Sequence, residues 1–306
     1  MVQTSSTKRD GMVSVATERL STLFSVKFRS DPAKDLCAVS RIVLHRILTT
    51  GLDDIIHYGH RFETAETPDT GKIRVKFANG EIAEGDLLVA ADGINSSVRK
   101  QLLPEALGPS KIGIAGFAGK VFLESPDEIM IDPVKRGVVV VCSKNGRGIF
   151  VAPQTYSPEA KARITELFAG VTDAVTHEEQ LPSNVAGVNN LILVGGEEGK
   201  KKLIDDARDY MFFGYLTKYP EKDLMLNDEK SLKDVSQQDL VTAVLKHLRE
   251  NDWSPQLIKM VEKTAINTVG YWPLQVSPRI TDLSTYTSSN ITFLGDAIHA
   301  SIPLLR

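Results

Sequence analysis

Two rhythms of apolar and polar positions run along the chain. In KIRVKFANG (residues 72–80), Ile73, Val75 and Phe77 alternate with charged neighbours. That is the period of a half-exposed strand, and Asn79-Gly80 is a hairpin turn. A β stretch is expected just before it, at residues 60–64, with a turn at 68–71. After Ser40, Ile42, Val43, Ile47 and Leu48 recur at helical spacing, and Gly51 sits where a left-handed cap ends a helix. Residues 1–38 carry scattered Ser, Thr and Lys and are assigned no structure.

LLVAA (residues 87–91) breaks both rhythms, because it is apolar throughout. Such a run suits a strand covered on both faces of a parallel sheet. Polarity returns at Asp92-Gly93, and Asn95 or Ser96 can cap a helix whose Val98 and Leu102 face inward. Five β runs follow: IAGFAGKVFL, GVVVVCS, GIFVAP, NLILVGG and RDYMFFGYL, interrupted by a charged helix over about residues 158–169. An amphipathic helix is expected over 231–251, with Leu240, Val241, Val244, Leu245 and Leu248 on one side. A strand near 266–273 and a short buried strand, ITFL (291–294), complete the pattern.

Composition narrows the partners. The chain has 306 residues, 42% of them hydrophobic, and a net charge of −3. That length and apolar content suit two domains, and no basic block tracks nucleic acid. Cys37 and Cys142 read as two reduced thiols of a cytoplasmic protein. MVQTSSTKRDGMVSV has no apolar core of a secretory signal, and no window approaches the ~20 apolar residues of a transmembrane span.

The chemistry gathers at two places. In open α/β sheets, ligands bind beyond the carboxyl ends of strands, near helix N-termini whose free amides favour anions. Asp92-Gly93 follows LLVAA, and Gly295-Asp296 follows ITFL with a helix start at Ala297. Glycine lets the backbone approach a bulky ligand, and an ionised carboxylate accepts hydrogen bonds from ribose or ribityl hydroxyls. The helix N-terminus can serve a pyrophosphate.

Three segments together carry a family resemblance. LLVAADGINSSVR (87–99) resembles the "DG" motif of the FAD-dependent aromatic hydroxylases, which share the p-hydroxybenzoate hydroxylase fold. FLGDAIHASIP (293–303) resembles their "GD" motif, and SRIVLHRIL (40–48) is similar to a helix whose arginine touches the flavin. The resemblance implies an α/β (α+β) chain: an incomplete, Rossmann-like FAD-binding domain with parallel strands, plus a mostly antiparallel β-sheet substrate domain. The partial FAD-binding domain is expected over 1–110, the substrate domain over 111–285, and the return strand with the GD motif over 286–306.

By position, the resemblance gives Arg41 a contact with FAD and puts Asp92 and Gly93 near the pyrophosphate and the path of a nicotinamide donor. Asp296 would hold ribityl or ribose hydroxyls, Gly295 would give clearance, and Pro303 would border the flavin ring. The implied reaction is an FAD-dependent, NAD(P)H-using monooxygenation, hydroxylating or epoxidising an aromatic or polycyclic small molecule with oxygen.

The sequence also departs from the family pattern. The family opens with a strand, GxGxxG and a helix, which this chain lacks. Gly113, Gly116 and Gly119 have the wrong spacing and read as small residues in a twisted strand. VGGEEGKK (194–201) lacks the spacing and the Ser or Thr of a phosphate loop. The chain also stops before the family's later glycine stretch beside the isoalloxazine. A truncated enzyme with impaired FAD binding is therefore expected, its strands 87–91 and 291–294 each exposing an unpaired apolar edge. A non-catalytic remnant is the competing reading. A halogenase or reductase is a third, weakened because neither Trp253 nor Trp272 sits in a WxWxIP signature. His57 and His60 lack a nearby third ligand for zinc, and His299 is given a structural role.

Overall fold

In the computed structural model, residues 12–27, 41–52, 54–68, 71–104, 108–124, 131–169, 208–218, 235–277 and 290–301 are described. The chain divides into two compact units, one of Met1–Asp53 with Ile114–Trp272, the other of Asp54–Gly113 with Pro273–Arg306.

The first unit is built on a seven-stranded sheet. Its strands are β1 (Met12–Thr17), β2 (Thr22–Lys27), β7 (Ser110–Phe122), β8 (Gly137–Cys142), β9 (Gly148–Gln154), β10 (Tyr210–Lys218) and β11 (Gly270–Val276). The order across the sheet is β11-β7-β10-β9-β8-β1-β2. The pairs β7–β10, β10–β9, β9–β8 and β1–β2 are antiparallel, and β1 joins β8 in parallel, Val13 beside Val138 and Val15 beside Val140. The mostly antiparallel sheet expected from the five runs is present, although NLILVGG lies outside the described residues. The amino-terminal stretch corrects the sequence reading, since residues 12–27 form a hairpin on this sheet's edge.

Alternation along β10 sorts the faces. Met211, Phe213 and Tyr215 are fully buried and join Val139, Val141, Ile149 and Val151 in one core. The lid of that core is α5 (Gln237–Glu250) and α6 (Pro255–Glu262), through Leu240, Val244, Leu248, Leu257 and Met260. Helix α5 begins later than the expected residue 231, because Ser236 caps it by accepting the Asp239 amide. The strand expected at 266–273 begins instead as a 3-10 turn, Ile266–Thr268, and becomes β11 at Gly270. Three further helices belong to this unit: α1 (Arg41–Thr49), the four-residue α3 (Asp132–Lys135) and α4 (Pro158–Ala169), of which α1 and α4 are where the spacing predicts them.

The second unit has two small sheets. A meander of β3 (Phe62–Glu66), β4 (Ile73–Phe77) and β5 (Ile82–Gly85) turns at Asn79-Gly80, where the Gly80 amide donates to the Phe77 carbonyl. Strand β6 (Leu88–Ala90) lies parallel to β12 (Ile291–Phe293). Helix α2 (Ser97–Leu102) follows β6, and α7 (Asp296–His299) follows β12. Ala65, Ile73, Val75, Ala90, Val98 and Ile291 form one core, packed by Phe62, Phe77, Leu88, Leu102 and Phe293.

One expectation about the parallel strands needs correction. They pair directly with each other, Leu88 beside Ile291 and Ala90 beside Phe293, and among the described residues this sheet has no third strand, so each keeps an outer edge without a strand neighbour, as expected. They are covered on one face only, not on both. Leu88, Ala90, Ile291 and Phe293 point into the core, whereas Leu87, Val89 and Leu294 are 57%, 48% and 63% exposed. An all-apolar run does not report which of its faces is covered.

Candidate dinucleotide site

The site forms where β6 and β12 end side by side. Their register is held at one end by the Leu88 amide donating to the Asn290 carbonyl, and at the other by the Leu294 amide donating to the Ala90 carbonyl. The Asn290 side chain also donates to the carbonyls of Gly71 and Asp86, fixing the start of β12 against the meander. Each strand then leads at once into its Asp/Gly pair. The register thus brings Asp92-Gly93 and Gly295-Asp296 to the same edge of one sheet.

On the β6 side, the chain turns through residues 91–96 into α2. Asp92 Oδ2 accepts the amides of Ser97 at 2.8 Å and Val98 at 3.3 Å, and Ser96 Oγ accepts the Arg99 amide at 2.9 Å. The Lys100 amide reaches the Ser96 carbonyl, which leaves none of the first four amides of α2 free. The expectation that this helix N-terminus serves a pyrophosphate is therefore corrected: Asp92 and Ser96 occupy its donors. Asp92 Oδ1 makes no hydrogen bond among the described residues.

On the β12 side the carboxylate is unengaged. Asp296 is exposed and makes no hydrogen bond or ion pair among the described residues. Gly295 precedes it with φ 60° and ψ −138°, a backbone region that side-chain-bearing residues rarely enter. A Cβ built there, or at Gly93 with φ 78°, meets nothing within 4 Å, so both turns open onto free space. The helix begins at Asp296, one residue before the Ala297 predicted.

The two turns are linked by a residue to which the sequence assigns no role. Arg99 is 5% exposed, and its guanidinium donates to the Ile94 carbonyl and to the Ala297 carbonyl, each at 2.5 Å. Among the described residues it forms no ion pair. Nothing local in the sequence marks this contact, because both acceptors are backbone carbonyls and one is 198 positions away. Helix α2 is anchored at its other side by Gln101. Its amide group donates to the Ala65 carbonyl and accepts the Ala65 amide, extending β3 as a neighbouring strand would.

Arg41 opens α1, which belongs to the first unit, while Asp92, Gly93, Gly295 and Asp296 share the second. Pro303 lies outside the described residues, as do Cys37 and the segment 194–201. Cys142 is a free, exposed thiol. His60 donates from Nε2 to Glu81 Oε2 at 3.0 Å and from Nδ1 to the Tyr58 carbonyl at 2.7 Å, and these partners raise its pKa above the ordinary value, the Glu81 bond most. His299 closes α7.

The aromatic residues of the seven-stranded sheet fall on opposite faces. Phe213 and Tyr215 are buried under α5 and α6, with Tyr215 Oη 2.8 Å from His247 Nδ1. Phe122, Phe150 and Phe212 occupy the other face and are half-buried, the rings of Phe150 and Phe212 being 6.4 Å apart. Arg208 pairs with Glu124 at 3.4 Å and lies over the Phe122 ring.

The donor set can be tested against a dinucleotide. A free carboxylate at Asp296, with an open approach beside Gly295, fits the hydroxyls of a ribityl or ribose unit. The amides of α2 offer a pyrophosphate nothing. The fit thus holds for the hydroxyl-bearing part of the ligand and rests on the β12 side.

Comparison with known proteins follows the same line. No protein-family model matches the chain. Over 70 residues it is 43% identical to the dual O-methyltransferase/FAD-dependent monooxygenase elcB of Phaeosphaeria nodorum, a match covering 22% of this chain and 8% of that protein. It is 34% identical over 97 residues to the FAD-dependent monooxygenase adaC of Aspergillus niger, covering 30% of this chain and 23% of that one. The matched segments thus span less than a quarter of these relatives' lengths. Among solved structures, Klebsiella pneumoniae HpxO, complexed with FAD and uric acid, superposes with a TM-score of 0.65 at 17% identity. That likeness, one of fold, covers 98% of this chain and 59% of that one.

Proposed function

We propose that this chain, which by fold and local sequence belongs with the FAD-dependent aromatic-hydroxylase-like monooxygenases, holds FAD at the β6–β12 edge and works as an oxidoreductase. The observation that carries the reading is the direct parallel pairing of β6 with β12, from which both Asp/Gly turns emerge at one edge.

In this reading Asp296 accepts hydrogen bonds from ribityl or ribose hydroxyls, and Gly295 removes the side chain that would keep them at a distance. Gly93 borders the diphosphate-bearing part of the cofactor, Asp92 holds the turn that carries it, Arg41 supplies a further cationic contact and Pro303 lies beside the flavin ring. FAD, when bound, supplies oxygen activation after a two-electron reduction. Inserting one atom of dioxygen into a substrate and releasing the other as water needs two electrons, so the reading includes NAD(P)H as donor.

The protein's part is to orient the substrate and exclude water. The half-buried Phe122, Phe150 and Phe212, on the sheet face away from α5 and α6, support an aromatic or polycyclic substrate that is hydroxylated or epoxidised. No described helix is long and apolar enough to cross a membrane. The free thiol of Cys142 supports a reducing compartment, and we assign the protein to the cytoplasm.

The test is a titration of the purified chain with FAD, followed by quenching of flavin fluorescence, and then by NAD(P)H oxidation with planar aromatic candidates. Saturable quenching that Asp296→Asn weakens supports the site. A chain that leaves FAD fluorescence unchanged at every concentration sinks it.

A further inference from the structure

We propose that Arg99 is a positioning residue that makes the two turns of the site a single cooperative unit. The guanidinium is buried, and its two observed hydrogen bonds end on different turns: the Ile94 carbonyl in the turn after β6, and the Ala297 carbonyl in the helix after β12. A planar fork with donors on two nitrogens reaches two carbonyls at once, which a lysine ammonium on a flexible stem cannot do with the same geometry.

Breaking either bond leaves a buried cation short of an acceptor, and no carboxylate among the described residues forms an ion pair with it. Hydrogen bonds to a charged group in such surroundings are the stronger class. The guanidinium is therefore held hard by both turns together. Helix α7 has only four residues; the Gly295 carbonyl accepts the Ile298 and His299 amides, and the carbonyl of its C-cap, Ala300, accepts the Ser277 amide. An element that short is marginal alone. Arg99 lends it the order of α2, which is capped by Asp92 and Ser96 and tied to β3 by Gln101. Ordering one turn around a ligand then orders the other.

The inference concerns the apo chain as well as the FAD reading, so two measurements separate them. In the wild-type chain, hydrogen exchange at the Arg99 and Leu103 amides and at the Ile298 and His299 amides should report one shared opening, with the same dependence on urea. Arg99→Lys, which keeps the charge, should speed exchange about tenfold in both groups and raise the Kd for FAD by a similar factor. Exchange in the wild-type chain that differs between the two groups overturns the proposal, as does an R99K chain that loosens α2 alone. An R99K chain that melts lower yet binds FAD as tightly as wild type at a temperature where both are folded shows a purely structural residue, and overturns it too. If the wild-type chain takes no FAD, the functional reading fails, and the exchange comparison alone decides the role of Arg99.

Discussion

The carboxylate of Asp92 accepts the backbone amide of Ser97 at 2.8 Å, so one of the two aspartates at the site is already committed to holding a helix. Asp296, at the same sheet edge, is committed to nothing among the described residues. The two should therefore respond differently to mutation. Asp92→Ala removes an acceptor shared by two amides at a helix start and should cost about 1 kcal/mol of stability. Asp296→Asn should leave stability within about 0.5 kcal/mol and lower FAD affinity alone. Urea unfolding of both variants, beside an FAD titration, checks the split.

Gly295 makes a second prediction. Its backbone lies at φ 60° and ψ −138°, and a Cβ there would touch nothing. Gly295→Ala thus tests backbone strain without a steric clash, and should destabilise by about 1–3 kcal/mol. A denaturation midpoint equal to that of wild type would refute this assignment of strain.

Gly119 poses the opposite case, with an ordinary backbone and no room. A Cβ would come within 2.6 Å of Thr264 Cγ2 and 3.3 Å of the Phe213 ring. Gly119→Ala should cost about 1–3 kcal/mol by overpacking, and Thr264→Ser, which deletes the offending methyl, should recover part of that loss. Thermal or urea unfolding of the single and double variants measures the recovery.

His60 provides a pH prediction. Its two ring nitrogens face Glu81 and the Tyr58 carbonyl, which both favour the imidazolium, so its pKa lies above 6.5. The sign follows from linkage. The folded state binds the proton more tightly, so the stabilisation is complete below the unfolded value and fades as pH rises through the folded one. Proton NMR of the histidine ring should show the raised titration, and Glu81→Gln should bring it down.

What the sequence discloses depends on how local the cause is. The Asn79-Gly80 turn, the Ser96 cap and the alternation of Ile73, Val75 and Phe77 are decided by neighbouring residues, and the structure has them where they are expected. The β1–β2 hairpin is not legible because its buried face is carried by Ser14 and Ala16, while the larger Val13 and Val15 are only half-buried. Small residues facing inward erase the period-two signal. LLVAA shows that a strand is apolar, not which side is covered, and the exposed Leu87 and Val89 follow from what packs nearby. At the site, both Asp/Gly pairs stand out in the sequence. The commitment of Asp92 to α2 and the reach of Arg99 across 198 positions belong to the tertiary structure.

The pairing of β6 with β12 also governs when the site can exist. Leu88 and its partner Ile291 lie far apart along the chain, so β6 is made long before the strand it pairs with. Closing so long a loop carries an entropic cost that local contacts do not help to meet, and such contacts form late. On the ribosome the first unit can assemble its sheet while β6 waits with the edge that β12 will take still without its neighbour. The ability to hold a ligand at this edge therefore arrives only once β12 has been made and has found β6.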